Sequence, residues 1–135
     1  MIENYFQSVL DLLDSLPFIE SSDVNFEKRG DLAGFVRGEI EFKDGSTLLF
    51  FRELIDLRLP IQKVMYAYHY QKKDGEVIFR YDNTAHHKSI PTFPNHKHLL
   101  DGVVIASDAP ALENILSEIE EYILANHAGL DGDEA

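Results

Sequence analysis

The sequence predicts an α+β fold: an antiparallel sheet of about five or six strands, built from hairpins, with an N-terminal and a C-terminal helix packed on one face. Three patterns carry that expectation. Apolar residues recur at three- and four-residue spacing near both ends of the chain, they alternate with polar residues in the middle, and turn dipeptides punctuate the alternating stretch.

At the N-terminus, Ile2, Phe6, Val9, Leu10, Leu13 and Leu16 form one stripe of a helix that must stop before Pro17. From Val24 to about Asn83, segments rich in Val, Ile, Phe, Tyr and Thr are separated by Arg29-Gly30-Asp31, Asp44-Gly45 and Asp74-Gly75, which read as hairpin turns. The stretch from Thr84 to Gly102 has no period and contains Pro91, Pro94 and clustered histidines. It is expected to be a long ordered loop, with at most a short edge strand. Ser107 or Asp108 is then expected to cap a second helix with Pro110 in its first turn, whose apolar stripe is Leu112, Ile115, Leu116, Ile119 and Ile123. Residues 1–126 are read as one domain and residues 127–135 as a disordered acidic tail.

The length of 135 residues suits one core. The absence of cysteine excludes disulfides, thiolate metal sites and cysteine nucleophiles. No basic start followed by an apolar run marks a secretory signal, and the longest aliphatic or aromatic run, Leu48 to Phe51, falls far short of the roughly 20 residues a membrane span needs. A cytoplasmic protein without membrane contact is expected. The net charge of −12 argues against nucleic-acid binding by the surface as a whole. The charge is uneven, however. Residues 61–100 hold 6 basic and 3 acidic side chains and five of the six histidines, whereas residues 101–135 hold 9 acidic and no basic ones. Any polyanion is expected to bind the middle segment.

In a hairpin, register follows from the turn, because side chains alternate between faces with period two. A two-residue turn at Asp74-Gly75 pairs Tyr70 with Phe79, His69 with Arg80, Tyr68 with Tyr81 and Ala67 with Asp82. Tyr66, Tyr68, Tyr70, Val77, Phe79 and Tyr81 then share one face, which is read as the core side. His69, Arg80 and Asp82 fall on the other.

Beyond Asp82 come His86, His87 and Lys88, and then Asn95-His96-Lys97-His98. Histidine both takes and gives protons near neutral pH, so a histidine cluster with Arg and Lys can cleave RNA without a metal. His69, His86, His87, His96 and His98 are the candidate acid–base groups. Asp82 would orient one of them, and Arg80, Lys97 or Lys88 would hold the phosphate charge. The same residues admit zinc or another transition metal as an alternative, with His86, His96 and His98 as ligand candidates that His87, His69 or Asp82 could complete, although no H-E-x-x-H pattern accompanies them. A histidine-rich surface loop held to the sheet by hydrogen bonds is the third reading. No cofactor is required by the first or third, and the sequence has no G-x-S-x-G, P-loop or dinucleotide fingerprint.

Three segments, Tyr68-His69-Tyr70-Gln71, Phe79 to His87 and Pro91 to His98, resemble in order and spacing the TumE family of toxin-antitoxin proteins. The likeness extends over most of residues 30 to 125. Thr84 and Lys88 depart from the family pattern, where Ala and Pro are expected, and bear on loop shape. The resemblance implies one half of a two-protein module, encoded beside a helix-turn-helix antitoxin, with toxicity directed at translation or RNA. Two rivals accompany the ribonuclease-like reading. One is a non-enzymatic module that docks a partner or its own copy as a homo-oligomer, and the other is a metal-dependent hydrolase.

Overall fold

Helix α1 spans Ile2–Asp14 and buries Ile2, Val9 and Leu13. It ends just ahead of Pro17, whose ring cannot extend a helix. The computed structural model describes residues 1–134, and the side chains of residues 1–126. After α1, seven strands follow in chain order: β1 (Ile19–Lys28), β2 (Ala33–Phe42), β3 (Thr47–Asp56), β4 (Lys63–Lys72), β5 (Val77–Asp82), β6 (His96–Leu99) and β7 (Val104–Ala106). All pair antiparallel with their sequence neighbours, so the sheet is a seven-stranded meander. Helix α2 (Leu112–Glu134) completes the described chain. The acidic tail expected at residues 127–135 lies outside the residues whose side chains are described.

The α+β expectation holds, with seven strands rather than five or six. The extra pairing is the β6–β7 hairpin, which lies at the end of the stretch read as loop. Its His-Lys-His-Leu sequence shows little apolar alternation, because the residues it sends to one face are polar. Helix α2 also starts later than expected. The Ser107 amide donates to Thr92 Oγ1 at 2.9 Å, and the Pro110 carbonyl accepts from Lys63 Nζ at 2.7 Å. These groups are committed to tertiary contacts, so the helix begins after Ala111, whose amide bonds to Asn114 Oδ1 at 3.0 Å. The expected stripe is otherwise inside: Leu112, Ile115, Leu116 and Ile119 are buried.

Both helices lie on one face of the sheet. Phe6 of α1 meets Phe26 with ring centroids 4.8 Å apart, and Tyr122 of α2 stands edge-on to Tyr70 at 5.6 Å. Between them, Val36, Ile40, Leu49, Phe51, Tyr66, Tyr68 and Tyr70 form the buried core. The β4–β5 register is the one expected, from Ala67 opposite Asp82 to Tyr70 opposite Phe79. The turn itself is not the two-residue one expected: the Lys72 amide donates to the Glu76 carbonyl at 2.9 Å, which leaves Lys73-Asp74-Gly75 as a three-residue loop with Gln71 opposite Val77, and a bulge beyond Tyr70 restores the expected register.

One carboxylate sits in this core. Glu53 is fully buried and accepts hydrogen bonds from the hydroxyls of Tyr5 and Tyr68, with Lys63 Nζ at 3.5 Å. Burying a charge is costly unless it is paired and hydrogen-bonded, and here α1 supplies Tyr5 while β4 supplies Tyr68 and Lys63. Burial lowers the Lys63 pKa, against the pull of Glu53, and raises those of Tyr5 and Tyr68.

The core also demands a glycine. At Gly38 the Phe51 ring lies where a side chain would stand, and an added Cβ would meet Phe51 Cε1 at 2.2 Å. Gly38→Ala is therefore expected to destabilise the fold by about 1–3 kcal/mol, the usual cost of overpacking. Denaturant unfolding measures this, and an unchanged midpoint would contradict the packing described.

Candidate functional site

The face of the sheet away from the helices carries the polar positions. Across it the registers give one row, Asn25, Arg37, Arg52, Ala67, Asp82 and His96, from β1 to β6. The neighbouring row is Asp23, Glu39, Phe50, His69, Arg80 and His98. The chemistry predicted for the β4–β5 hairpin and part of the histidine cluster therefore share a surface, since β6 pairs with β5 and presents His96 and His98 beside Asp82 and Arg80.

The loop between β5 and β6 is fastened at both ends. Asn83 accepts the Tyr66 amide at 3.1 Å and donates to the Val64 carbonyl at 3.0 Å, while the Tyr66 hydroxyl donates to Asn95 Oδ1 at 2.9 Å. The loop returns His87 to the sheet, where its ring lies 4.8 Å from that of His96 and 5.7 Å from that of His98. The His96 and His98 rings are 4.9 Å apart.

Asp82 is the hub, at 2% exposure. Its Oδ1 accepts from the Thr84 amide at 3.1 Å and hydroxyl at 2.8 Å, and its Oδ2 accepts from Arg80 Nε at 2.9 Å. His96 Nε2 lies 2.9 Å from Oδ1, and His98 Nε2 lies 3.4 Å from Oδ2. Burial works against ionising Asp82, but the Thr84 and Arg80 hydrogen bonds and the nearby His96 outweigh it, so the carboxyl titrates below its usual range. Thr84 thus contributes two of the hydrogen bonds.

Arg80 links Asp82 to His69, its Nη1 donating to His69 Nδ1 at 3.2 Å. That fixes Nδ1 as the acceptor and leaves the proton on Nε2, which faces Gln71 Oε1 at 3.0 Å. Burial, and beyond it the Arg80 charge, lower the His69 pKa despite the Gln71 contact. Both nitrogens are occupied, so His69 acts as a neutral support for Arg80. Burial also lowers the pKa of His98; Asp82 pulls it up, and His96, His87 and Arg80 push it down.

His96 is held differently. Its Nδ1 lies 2.9 Å from the Pro94 carbonyl, which can only accept, so Nδ1 carries a proton. Its Nε2 is buried and makes no aligned hydrogen bond, despite the short approach to Asp82. With His87 and His98 it forms a trio whose nearest ring nitrogens lie within 4.8 Å of one another. A backbone carbonyl on one nitrogen is how a histidine ligand is commonly oriented, so among the described residues this trio, with His96 neutral and its Nε2 unprotonated, could hold a transition metal.

Three candidates stand apart. Lys97 lies on the helix side of β6, opposite Tyr81, where it pairs with Glu118 Oε2 at 2.7 Å and sits 4.8 Å from the Tyr81 ring centroid. This placement corrects its expected role at the phosphate: one step along a strand reverses the face. His86 and Lys88 are exposed on the loop, and His86 is outside the trio, with His87 in its place.

The sequence reading also passed over Arg37, Phe50 and Arg52. They line a cleft of about 510 Å³ with Ala67, His69 and Arg80. A signal was present: treating Asp44-Gly45 as a two-residue turn pairs Arg37 with Arg52, as observed.

Because the folded-state pKa of Asp82 is depressed, its ionisation contributes stability above the ordinary aspartate value near 3.8, and that contribution is lost as pH falls through the folded value. Asp82→Asn is expected to cost about 1.5–3 kcal/mol at pH 7, as for a hydrogen bond to a charged group. The gap between wild type and variant should narrow below pH 3.8 in denaturant titrations. A gap that stayed constant there would refute the assignment.

No curated protein and no solved structure matches the chain. Among the described residues, no helix is long and apolar enough to cross a membrane. The family model described as Toxin TumE matches residues 9–123, nearly the whole length over which the fold and the histidine-bearing face have been described, and the chain belongs to that family.

Proposed function

We propose that this toxin-family protein is a cytoplasmic toxin that cleaves RNA on the open face of its sheet by acid–base chemistry, and that an antitoxin with a helix-turn-helix restrains it. The observation that carries the reading is the convergence of His87, His98, Arg80 and buried Asp82 beside a cleft on a face that no helix covers. Membership of a toxin family supports the biological role. The concentration of imidazole and positive charge on one segment of an acidic chain supports a polyanionic target.

In this mechanism one of the His87 and His98 imidazoles removes the proton from a ribose 2′-hydroxyl. The freed oxygen attacks the adjacent phosphorus, the bond from phosphorus to the 5′-oxygen breaks, and the other imidazole, protonated, gives its proton to that leaving oxygen. A 2′,3′-cyclic phosphate and a free 5′-hydroxyl result, with no net change in protons. Arg80 lies where it can offset the charge that builds on the phosphoryl oxygens. Asp82 holds Arg80 and the β6 histidines in place. His69 is a positioning residue that acts through Arg80.

Purified protein is expected to cut single-stranded RNA, leaving cyclic phosphate ends, and His87→Ala or His98→Ala should slow cutting by about 10²–10⁴-fold, the usual contribution of a general acid or base. Intact RNA under all conditions, together with undiminished toxicity of both variants, would overturn the reading.

The unbonded His96 Nε2 favours a second reading, a metal-assisted hydrolase with His87, His96 and His98 as ligands. Elemental analysis of protein purified without an affinity tag separates the two. Stoichiometric zinc or another transition metal, with cutting abolished by a chelator, would replace the acid–base mechanism. Cutting by metal-free protein would exclude the alternative.

A further inference from the structure

The chain has five arginines, and they divide into two groups. Arg29, Arg58 and Arg80 each hold a carboxylate, at 3.4, 2.8 and 2.9 Å. Arg37 and Arg52 hold none among the described residues, although they stand directly opposite each other on β2 and β3. Like charges facing each other across two strands oppose pairing, so the arrangement is unfavourable without an anion between or beside them. The next residue in their row is Ala67, whose short side chain leaves the cleft open at that point.

Phe50 adds a second, independent feature. It lies one row along on the same face, opposite Glu39 on one side and His69 on the other, and its ring centroid is 6.4 Å from that of His69. Among the described residues no helix covers this face, so a half-buried aromatic ring here is not part of the core. An aromatic platform beside paired cations is the arrangement that binds single-stranded nucleic acid: bases stack on the ring while cations track the backbone.

We infer that Phe50, Arg37 and Arg52 form a nucleotide subsite of the cleft, with one base of a single-stranded RNA stacked on Phe50 and the adjoining phosphate held by Arg37 and Arg52. This rests on the reading of RNA as the substrate and extends it to residues outside the histidine corner. Arg52 and Arg80 lie on strands two apart, a separation of roughly 10 Å at the usual strand spacing, so the subsite adjoins the reacting phosphate. Asp23 and Glu39 face the same cleft. They disfavour a further phosphate at that rim and can accept hydrogen bonds from base amino groups. A base can reach Phe50 only when unstacked from its neighbours, which selects single strands over duplex.

The test uses the full chain and a fluorescein-labelled, single-stranded 2′-O-methyl RNA oligonucleotide, which cannot be cleaved through the 2′-oxygen. Fluorescence anisotropy is read over a range of salt concentrations. Removing both cations in R37A/R52A should weaken binding at least tenfold and make the log–log salt slope shallower by about 0.7, the value for one phosphate contact on a single strand. Phe50→Ala should weaken binding roughly 5- to 150-fold, the range for loss of one stacked base, and Phe50→Tyr should restore it. Arg58→Ala, outside the cleft, is the control and should change nothing. All of these side chains lie on exposed or helix-free surface, and thermal melts verify that each variant folds.

Failure of the subsite and failure of the cleavage reading are distinguishable. Unchanged affinity and slope in R37A/R52A would overturn the subsite even if the wild type cuts RNA. Binding with the expected losses, in a protein that never cuts unmodified RNA, would sustain the subsite and remove the catalytic reading. Preference for duplex, or no binding by the wild type, would overturn the subsite outright.

Discussion

The Asp82 carboxylate is the constraint around which the functional half of the molecule is organised. A carboxylate this deeply buried costs free energy unless its oxygens are satisfied, and its hydrogen bonds come from its own strand through Arg80 and from the loop through Thr84, with His96 and His98 of β6 close beside it. Satisfying Asp82 therefore draws the loop start and β6 against β5. The same contacts aim Arg80 toward His69, and the nearby loop brings His87 against the β6 rings. Stability and the proposed chemistry are coupled here through one side chain.

A second buried carboxylate, Glu53, shows how differently the two faces use charge. It is sealed beneath α1, hydrogen-bonded by two tyrosine hydroxyls and matched by Lys63, whose ammonium also reaches the Pro110 carbonyl ahead of α2. That network ties helices to sheet and has no open side from which a substrate could approach. Asp82 has one, because no helix crosses its face and Arg80 remains partly exposed. Burial of ionisable groups alone would not distinguish the two sites; the uncovered face does.

Period-two alternation made much of this legible before any coordinates. Matching the apolar faces across β4 and β5 separates the tyrosine face from His69, Arg80 and Asp82, and this holds although the turn is a three-residue loop whose offset a bulge cancels. Local pattern failed where partners are distant in sequence. β6 is a strand because Arg80 and Asp82 give it a ladder and polar partners, which nothing within His96 to Leu99 announces. Lys97 was grouped with its histidine neighbours although a strand sends adjacent residues to opposite faces. The start of α2 moved because Ser107 and Pro110 bond to Thr92 and Lys63, contacts invisible to capping rules. For Arg37 and Arg52 the register argument was available at Asp44-Gly45. Joining that hairpin to Ala67 required the longer β3–β4 connection, whose register no short turn dictates.

The distribution of charge follows from the same alternation and bears on approach of a polyanion. Exposed Glu113, Glu120 and Glu121 lie on α2, on the helix side, while Arg37, Arg52 and Arg80 project from the opposite face. A chain with net charge −12 would repel RNA if its charge were evenly spread. On the proposed reading the three arginines give phosphates a local attraction over the cleft that the helix side lacks, although Asp23, Glu27, Glu39 and Glu41 are exposed on the same face toward β1 and β2. Asp23 and Glu39, on β1 and β2, bound the cationic strip that runs from Arg37 through Arg52 to Arg80. The acidic composition that first argued against nucleic-acid binding is, on this geometry, what would confine such binding to one face.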